Sequence, residues 1–131
     1  MLDLRLKAWW WVAGTLMLLV VLVLCLVPLS LEREQLVSFE DKIVHALIFL
    51  VLMVWFSGLV HREHFWWVFA LLLLYGGSIE ILQGLGGSRS AEFLDFVADA
   101  CGLLLGLWLA KGKLGDWCRH VEIKLGIPHE S

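Results

Sequence analysis

Four apolar stretches, each close to 20 residues long, follow one another along this chain of 131 residues. They cover residues 9–29, 43–60, 65–82 and 91–110. A helix of about 20 mainly apolar residues is long enough to cross the hydrocarbon core of a bilayer. The first stretch contains no charged residue, and only the residues from His61 to His64 separate the second from the third. The pattern therefore predicts an all-α integral membrane protein, a bundle of four transmembrane helices.

The composition excludes a water-soluble domain. Hydrophobic residues make up 60% of the chain and charged residues 18%, whereas soluble domains contain about 45–50% apolar and about 25% charged residues. A soluble chain of this size buries only about two-thirds of its surface on folding, so it could not hide so many apolar side chains from water. We expect residues 1–131 to form one membrane domain.

The distribution of lysine and arginine predicts the orientation, because cytoplasmic loops carry an excess of both residues. One side holds seven basic residues and the other holds three. The seven are Arg5, Lys7, Arg62, Lys111, Lys113, Arg119 and Lys124, and the three are Arg33, Lys42 and Arg89. Six tryptophans also fall at helix ends on the first side, as in an aromatic belt. Both termini are therefore predicted to be cytoplasmic.

The last 21 residues, 111–131, form a predicted cytoplasmic tail. Apolar residues recur there at helical spacing, with basic residues between them; they are Leu114, Trp117, Val121 and Leu125. This favours a short amphipathic helix on the inner membrane surface, and a frayed tail is the alternative. The three cysteines of the chain show no metal-binding spacing, and we expect them to be buried thiols.

Polar side chains near one end of the last three helices are the second informative feature. They are Asp41, Lys42, His45, Glu80, Gln83, Arg89, Glu92, Asp95 and Asp99. A charged side chain within a membrane costs a few kcal/mol or more, so such residues usually face a bundle interior or a wet cavity. Antiparallel connections bring these residues to the non-cytoplasmic face, where we expect an outward-facing polar pocket.

Two spacings on the second and third helices predict pairs. Asp41 and His45 are separated by one helical turn, so they are a candidate acid–base pair; alternatively, Asp41 caps the helix and His45 is a buried hydrogen-bond donor. Glu80 and Gln83 share one face of the third helix. Arg89 is the predicted counter-ion of Glu80, either within a binding site or as a structural pair that locks two helices.

One face of the fourth helix carries a stripe of acidic residues at its outer end and of small residues at its inner end. It consists of Glu92, Asp95, Asp99, Gly102 and Gly106. The two glycines predict close helix packing. The carboxylates would repel one another if all were ionised, so either one is protonated or a divalent cation is bound. No other cofactor is predicted.

Three stretches of the chain resemble the VanZ-like family of small membrane proteins. They are DKIVHALIF (Asp41–Phe49), YGGSIEILQ (Tyr75–Gln83) and RSAEFLDFVADACGLLLG (Arg89–Gly106). The family's polar signature falls on all the residues of the predicted pocket except Asp99, where the family commonly has asparagine; Ser88 replaces a frequent proline. The resemblance implies a bacterial cell-envelope protein of the cytoplasmic membrane, associated with resistance to glycopeptide antibiotics.

Several functions remain open at this point. The pocket would bind an anionic membrane lipid or a lipid-linked glycan precursor, with Arg89 and Lys42 meeting the anionic group. Alternatively, the protein is an enzyme that modifies such a lipid, with His45, Asp41 and Glu80 as candidate catalytic residues. An ion- or proton-coupled transporter and a structural partner protein are further alternatives. A net charge of −3 without a basic cluster argues against nucleic acid as a partner.

Overall fold

The computed structural model describes residues 5–26, 39–85 and 93–127, without the side chains of residues 39–41. These residues form five α-helices and no strand. The helices are α1 (Lys7–Leu26), α2 (Phe39–Ser57), α3 (Phe65–Leu85), α4 (Phe93–Lys111) and α5 (Trp117–Lys124). Short 3-10 turns, Arg62–His64 and Lys113–Asp116, precede α3 and α5. The predicted all-α class is confirmed for this part of the chain.

Three of the described helices are long and apolar enough to cross a membrane, which indicates a membrane protein. They are Lys7–Leu26, Arg62–Leu85 and Phe93–Lys111. The apolar part of α2, Lys42–Ser57, is shorter. The helix α2 ends at Ser57 instead of continuing to residue 60 as predicted, and the next turn places two residues, Gly58 and Leu59, in the buried interior.

Helices α2 and α4 form the most extensive helix–helix contact of the described structure. The two helices run parallel, because residue numbers increase in the same direction along both. Gly102 lies against Ala46, and Gly106 lies against Leu50 and Met53. A Cβ atom at Gly102 would lie 2.1 Å from the carbonyl oxygen of Ala46. This contact confirms the close packing predicted for the two glycines, because only a residue without a side chain fits there.

Helix α3 runs antiparallel to α2 and α4 and completes the core by packing against them. Buried side chains from the three helices meet in one cluster, which includes Phe49, Met53, Leu72 and Leu103. Helix α1 lies at the edge of this group, with Gly14 as its buried residue and its large apolar side chains either exposed or half-buried. Exposed apolar faces of this extent suit a lipid environment.

Helix α5 docks against one end of the bundle. The indole Nε1 of Trp117 donates to the carbonyl oxygen of Val54 at 2.8 Å, and Cys118 is fully buried. The buried carboxylate of Glu122 accepts hydrogen bonds from the backbone N–H groups of Arg5 and Leu6, at 3.0 and 2.9 Å. The residues of α5 are thus helical and not frayed, and the buried face of the helix packs on the protein.

Parts of the predicted apolar face of α5 remain outside this contact. Leu114 and Leu125 are exposed, as is Ile123, whereas Val121 is half-buried. The prediction of buried cysteines is correct for Cys118 and wrong for Cys101, which is exposed. The α4 positions near Cys101 that face away from the other helices are apolar, as expected for a face toward lipid.

We predict that Gly102→Ala lowers the free energy of unfolding by about 3 kcal/mol, because a Cβ would force the backbones of α2 and α4 apart. Gly77→Ala is the matched control, since its Cβ would lie 3.3 Å from a Phe96 ring carbon and meet no backbone atom. Unfolding of both variants in detergent, followed by circular dichroism, measures the difference. Equal stability of the two variants would contradict the close contact.

We also predict that Glu122→Ala releases α5 from the bundle. Burial, with the nearby Glu122 carboxylate, raises the pKa of Cys118 to about 12. The nucleophilic thiolate is therefore scarce at neutral pH in the folded protein. In a background carrying Cys25→Ala and Cys101→Ala, the Glu122 variant should react with a maleimide about tenfold faster or more. Glu63→Ala, which removes an exposed carboxylate, is the control and should leave the rate unchanged.

Candidate functional site

The imidazole of His45 and the carboxylate of Asp99 meet between α2 and α4. His45 Nδ1 lies 3.0 Å from Asp99 Oδ1, and both side chains are buried. The contact continues the seam that Gly102 and Ala46 form deeper in the bundle. A carboxylate at this distance fixes the orientation of the ring.

A second pair lies one turn further toward the end of the bundle. Lys42 Nζ donates to Asp95 Oδ1. The Asp95 side chain is 1% exposed and that of Lys42 is 18% exposed, so the lysine lies at the edge of the buried region. Burial of an ion pair strengthens the attraction between the charges and also costs their hydration.

Helix α3 contributes the third side of the site. Glu80 and Gln83 are both buried. A carboxylate oxygen of Glu80, a carboxylate oxygen of Asp99 and a ring nitrogen of His45 lie within 4.8 Å of one another. Gln83 Nε2 donates to the carbonyl oxygen of Cys25 at 2.7 Å, which links the site to the end of α1. Its Oε1 is buried and has no hydrogen-bond partner among the described residues.

A glycine leaves room beside Asp99. A Cβ at Gly76 would lie 3.0 Å from Asp99 Oδ2 and 3.1 Å from the Phe49 ring. Gly76 is one turn before Glu80 on the same face of α3. The absence of a side chain there lets the second oxygen of Asp99 lie against the α3 backbone.

We call the six side chains of this site the polar cluster: Lys42, His45, Glu80, Gln83, Asp95 and Asp99. They all lie at the end of the bundle opposite α5. One lysine faces three carboxylates, so the formal charge of the cluster is −2 with His45 neutral. Buried charges of this kind need partners of opposite charge or hydrogen-bonding groups.

The structure brings six of the nine predicted site residues together in this cluster. Asp41 lies in the first turn of α2, and its side chain is outside the described residues, as are Arg89 and Glu92. The predicted pairs Asp41–His45 and Glu80–Arg89 therefore stay predictions. The hydrogen bond described for His45 joins it to Asp99 on another helix, whereas the sequence had indicated a partner one turn away on the same helix.

Sequence reasoning missed two residues that position the site. Tyr75 donates from its hydroxyl to the carbonyl oxygen of Leu18, which ties α3 to α1. Gly76, the next residue, makes space for Asp99. A signal was available for Tyr75, because a lone tyrosine within an apolar helix needs a hydrogen-bond partner for its hydroxyl. The role of Gly76 depends on how α3 and α4 pack, which the sequence pattern does not reveal.

Two apolar grooves run along α1, one on each side. The groove between α1 and α2 has a volume of about 540 Å³ and extends from Ala13 to Val21 on α1. On α2 it reaches the exposed side chain of Leu47, whereas His45, two residues earlier, is buried against α4. The groove between α1 and α3 has a volume of about 230 Å³ and ends at Tyr75. Both grooves open toward the space that lipid would fill.

Comparison with protein-family models, curated proteins and solved structures finds no match for this chain. The resemblance to the VanZ-like family therefore stays a prediction from three short stretches. The described geometry itself offers an oriented imidazole, a partly exposed lysine and several buried oxygen ligands, next to apolar grooves. Such a combination can bind a polar group, hold a cation or transfer a proton.

We predict that Lys42 and Asp95 are energetically coupled. Lys42→Met or Asp95→Asn alone should lower the free energy of unfolding by about 3 kcal/mol, because each leaves a largely buried charge without its partner. The double variant should lose less than the sum of the two. The exposed pair Arg62–Asp116, 3.6 Å apart, is the control and should couple by less than about 1 kcal/mol. Additive losses at Lys42 and Asp95 would contradict the pairing.

Proposed function

We propose that this protein binds an anionic envelope lipid, or a lipid-linked glycan precursor, through the polar cluster and the grooves along α1. The observation that carries the proposal is the position of a buried polar cluster at one end of the bundle beside apolar grooves. A lipid has the same division into a polar head and apolar chains. The proposal is therefore for a class of ligand, an anionic lipid. Its head group would lie at the polar cluster and its chains in the grooves.

The polar cluster supports the proposal for the head group. Lys42 is the cation at its edge, and Asp95 holds the ammonium group in place. An ammonium group in this position can meet a phosphate. The carboxylates of Glu80 and Asp99 and the amide oxygen of Gln83 can accept hydrogen bonds from sugar hydroxyls. Arg89 of the same predicted face adds a second cation in the proposed site.

The weak packing of α1 supports the proposal for the chains. Hydrogen bonds tie α1 to the bundle near its two ends and at Tyr75, and Gly14 packs against Phe56, with apolar grooves on either side of the helix. The wider groove ends at Val21 and Leu47, on the side of the bundle where the polar cluster lies. A chain in this groove would run along α1 while its head group lies at the polar end.

We further propose four membrane spans with both termini in the cytoplasm of a bacterium. The 19 residues of α2 are about 28 Å long at 1.5 Å per residue, which is close to the hydrocarbon thickness of about 30 Å. The contact of Glu122 with Leu6 keeps the described beginning and end of the chain at one end of the bundle. Arg62 and Lys111 lie at that end too, since Arg62 donates to the Lys111 carbonyl oxygen at 2.6 Å. An excess of basic residues there favours the cytoplasmic side.

Catalysis on the bound lipid is the second candidate function, and the contact between His45 and Asp99 favours it. A buried carboxylate that orients an imidazole is a common arrangement for general acid–base catalysis. Asp99 takes the orienting role that the sequence had assigned to Asp41. The resemblance to the VanZ-like family supports a place in the cell envelope and an association with glycopeptide resistance for either candidate.

We predict that purified protein carries anionic lipid that depends on the polar cluster. Native mass spectrometry in mild detergent should find bound lipid on the wild type and on Arg62→Met/Asp116→Asn, which removes an ion pair at the opposite end. Lys42→Met/Asp95→Asn should lose about tenfold in lipid occupancy, as expected for loss of a charge-assisted contact. Val51→Trp, in the wider groove, should lose lipid, whereas Leu104→Trp on the exposed face of α4 should not.

Equal lipid content in all these variants would contradict the proposal. The same samples also test catalysis. A lipid product that the wild type forms and His45→Gln does not form would establish catalysis. Chemically unchanged lipid in both samples would support binding without catalysis.

A further inference from the structure

We infer that His45, Glu80 and Asp99 form a binding site for a divalent transition-metal ion of the Zn²⁺ class. Their ligand atoms lie within 4.8 Å of one another, and all three residues are buried. Each comes from a different helix, α2, α3 or α4. The inference does not depend on the proposed function, and it holds whether or not the protein binds a lipid.

The kind of ligand selects the kind of ion. An imidazole nitrogen with two carboxylate oxygens is a common donor set for Zn²⁺ and neighbouring transition ions, whereas Mg²⁺ and Ca²⁺ prefer sites built of oxygen alone. Ligand atoms around a tetrahedral Zn²⁺ are about 3.3 Å apart, since each lies about 2.0 Å from the ion. His45 Nδ1 and Asp99 Oδ1 are 3.0 Å apart. Rotation of the Glu80 side chain would bring in the third ligand.

The imidazole and the two carboxylates are buried, so the attraction between a bound cation and the carboxylates is weakly screened. Lys42 donates to Asp95, which lies one turn along α4 from Asp99.

A further oxygen ligand is present beside the three residues. Gly76 lets Asp99 Oδ2 lie close to the α3 backbone that carries Glu80. Gln83 Oε1 is a buried oxygen one turn from Glu80, with no hydrogen-bond partner in the described part of the chain. A bound ion would join α2, α3 and α4, so metal should stabilise the fold as any ligand of the native state does.

The test measures metal on the intact protein. After dialysis against EDTA and reloading with Zn²⁺, elemental analysis should find one Zn²⁺ per chain on the wild type, and Mg²⁺ or Ca²⁺ at the same concentration should not compete. The near-isosteric variants Glu80→Gln and Asp99→Asn should each weaken Zn²⁺ binding about tenfold or more, as expected for loss of a ligand. Glu122→Gln changes a buried carboxylate at the opposite end and is the matched control.

X-ray absorption on the Zn²⁺-loaded wild type keeps the inference testable where a variant fails to fold. The expected spectrum shows nitrogen and oxygen ligands at about 2.0–2.1 Å, including one imidazole. Absence of stoichiometric Zn²⁺, full retention in Glu80→Gln and Asp99→Asn, or a sulfur shell at about 2.3 Å would overturn the inference. Lipid occupancy measured on the metal-free protein separates this outcome from failure of the lipid proposal.

Discussion

The close contact between α2 and α4 is the constraint on which the described structure depends. Gly102 lies against the carbonyl oxygen of Ala46, and this approach sets the register between two parallel helices. One turn further along the same seam, the register places His45 against Asp99, and then Lys42 against Asp95. A wider separation would leave these groups without partners in a low-dielectric interior, where an unpaired charge is costly. Packing and the polar cluster are therefore two parts of one interface.

Helix ends are the second place where polar groups need partners, and side chains from distant parts of the chain supply them. Glu122 accepts from the backbone N–H groups of Arg5 and Leu6, just before α1, and Gln83 donates to a carbonyl oxygen in the last turn of α1. Trp117 donates to a carbonyl oxygen in the last turn of α2, and Arg62 donates to one in the last turn of α4. A membrane offers little water to these groups, so each contact both satisfies the backbone and fixes one helix against another. The tail thereby becomes part of the bundle.

The predictions from the sequence succeeded where periodicity and hydropathy decide the outcome. The four helices appear within a few residues of the predicted ranges, and the stripe from Asp95 to Gly106 does face α2. The predictions fell short where the hydrogen-bond partner of a residue lies on another helix. The partner described for His45 is Asp99, and Glu122, on the buried face of α5, was not recognised as a cap for α1. The local spacing of residues predicts neither contact, because both join positions more than 50 residues apart.

The sequence by itself determined that the chain is helical and suited to a membrane, since the length and apolar character of the helices follow from local composition. It also determined which polar residues share a helix face, because the helical period relates neighbours one turn apart. Only the tertiary structure decided which of those faces meet. The distance of 3.0 Å between His45 and Asp99 follows from the absence of side chains at Gly102 and Gly76, which lets three helices approach closely enough for their polar groups to touch. Contacts of this kind depend on the shapes of several helices together.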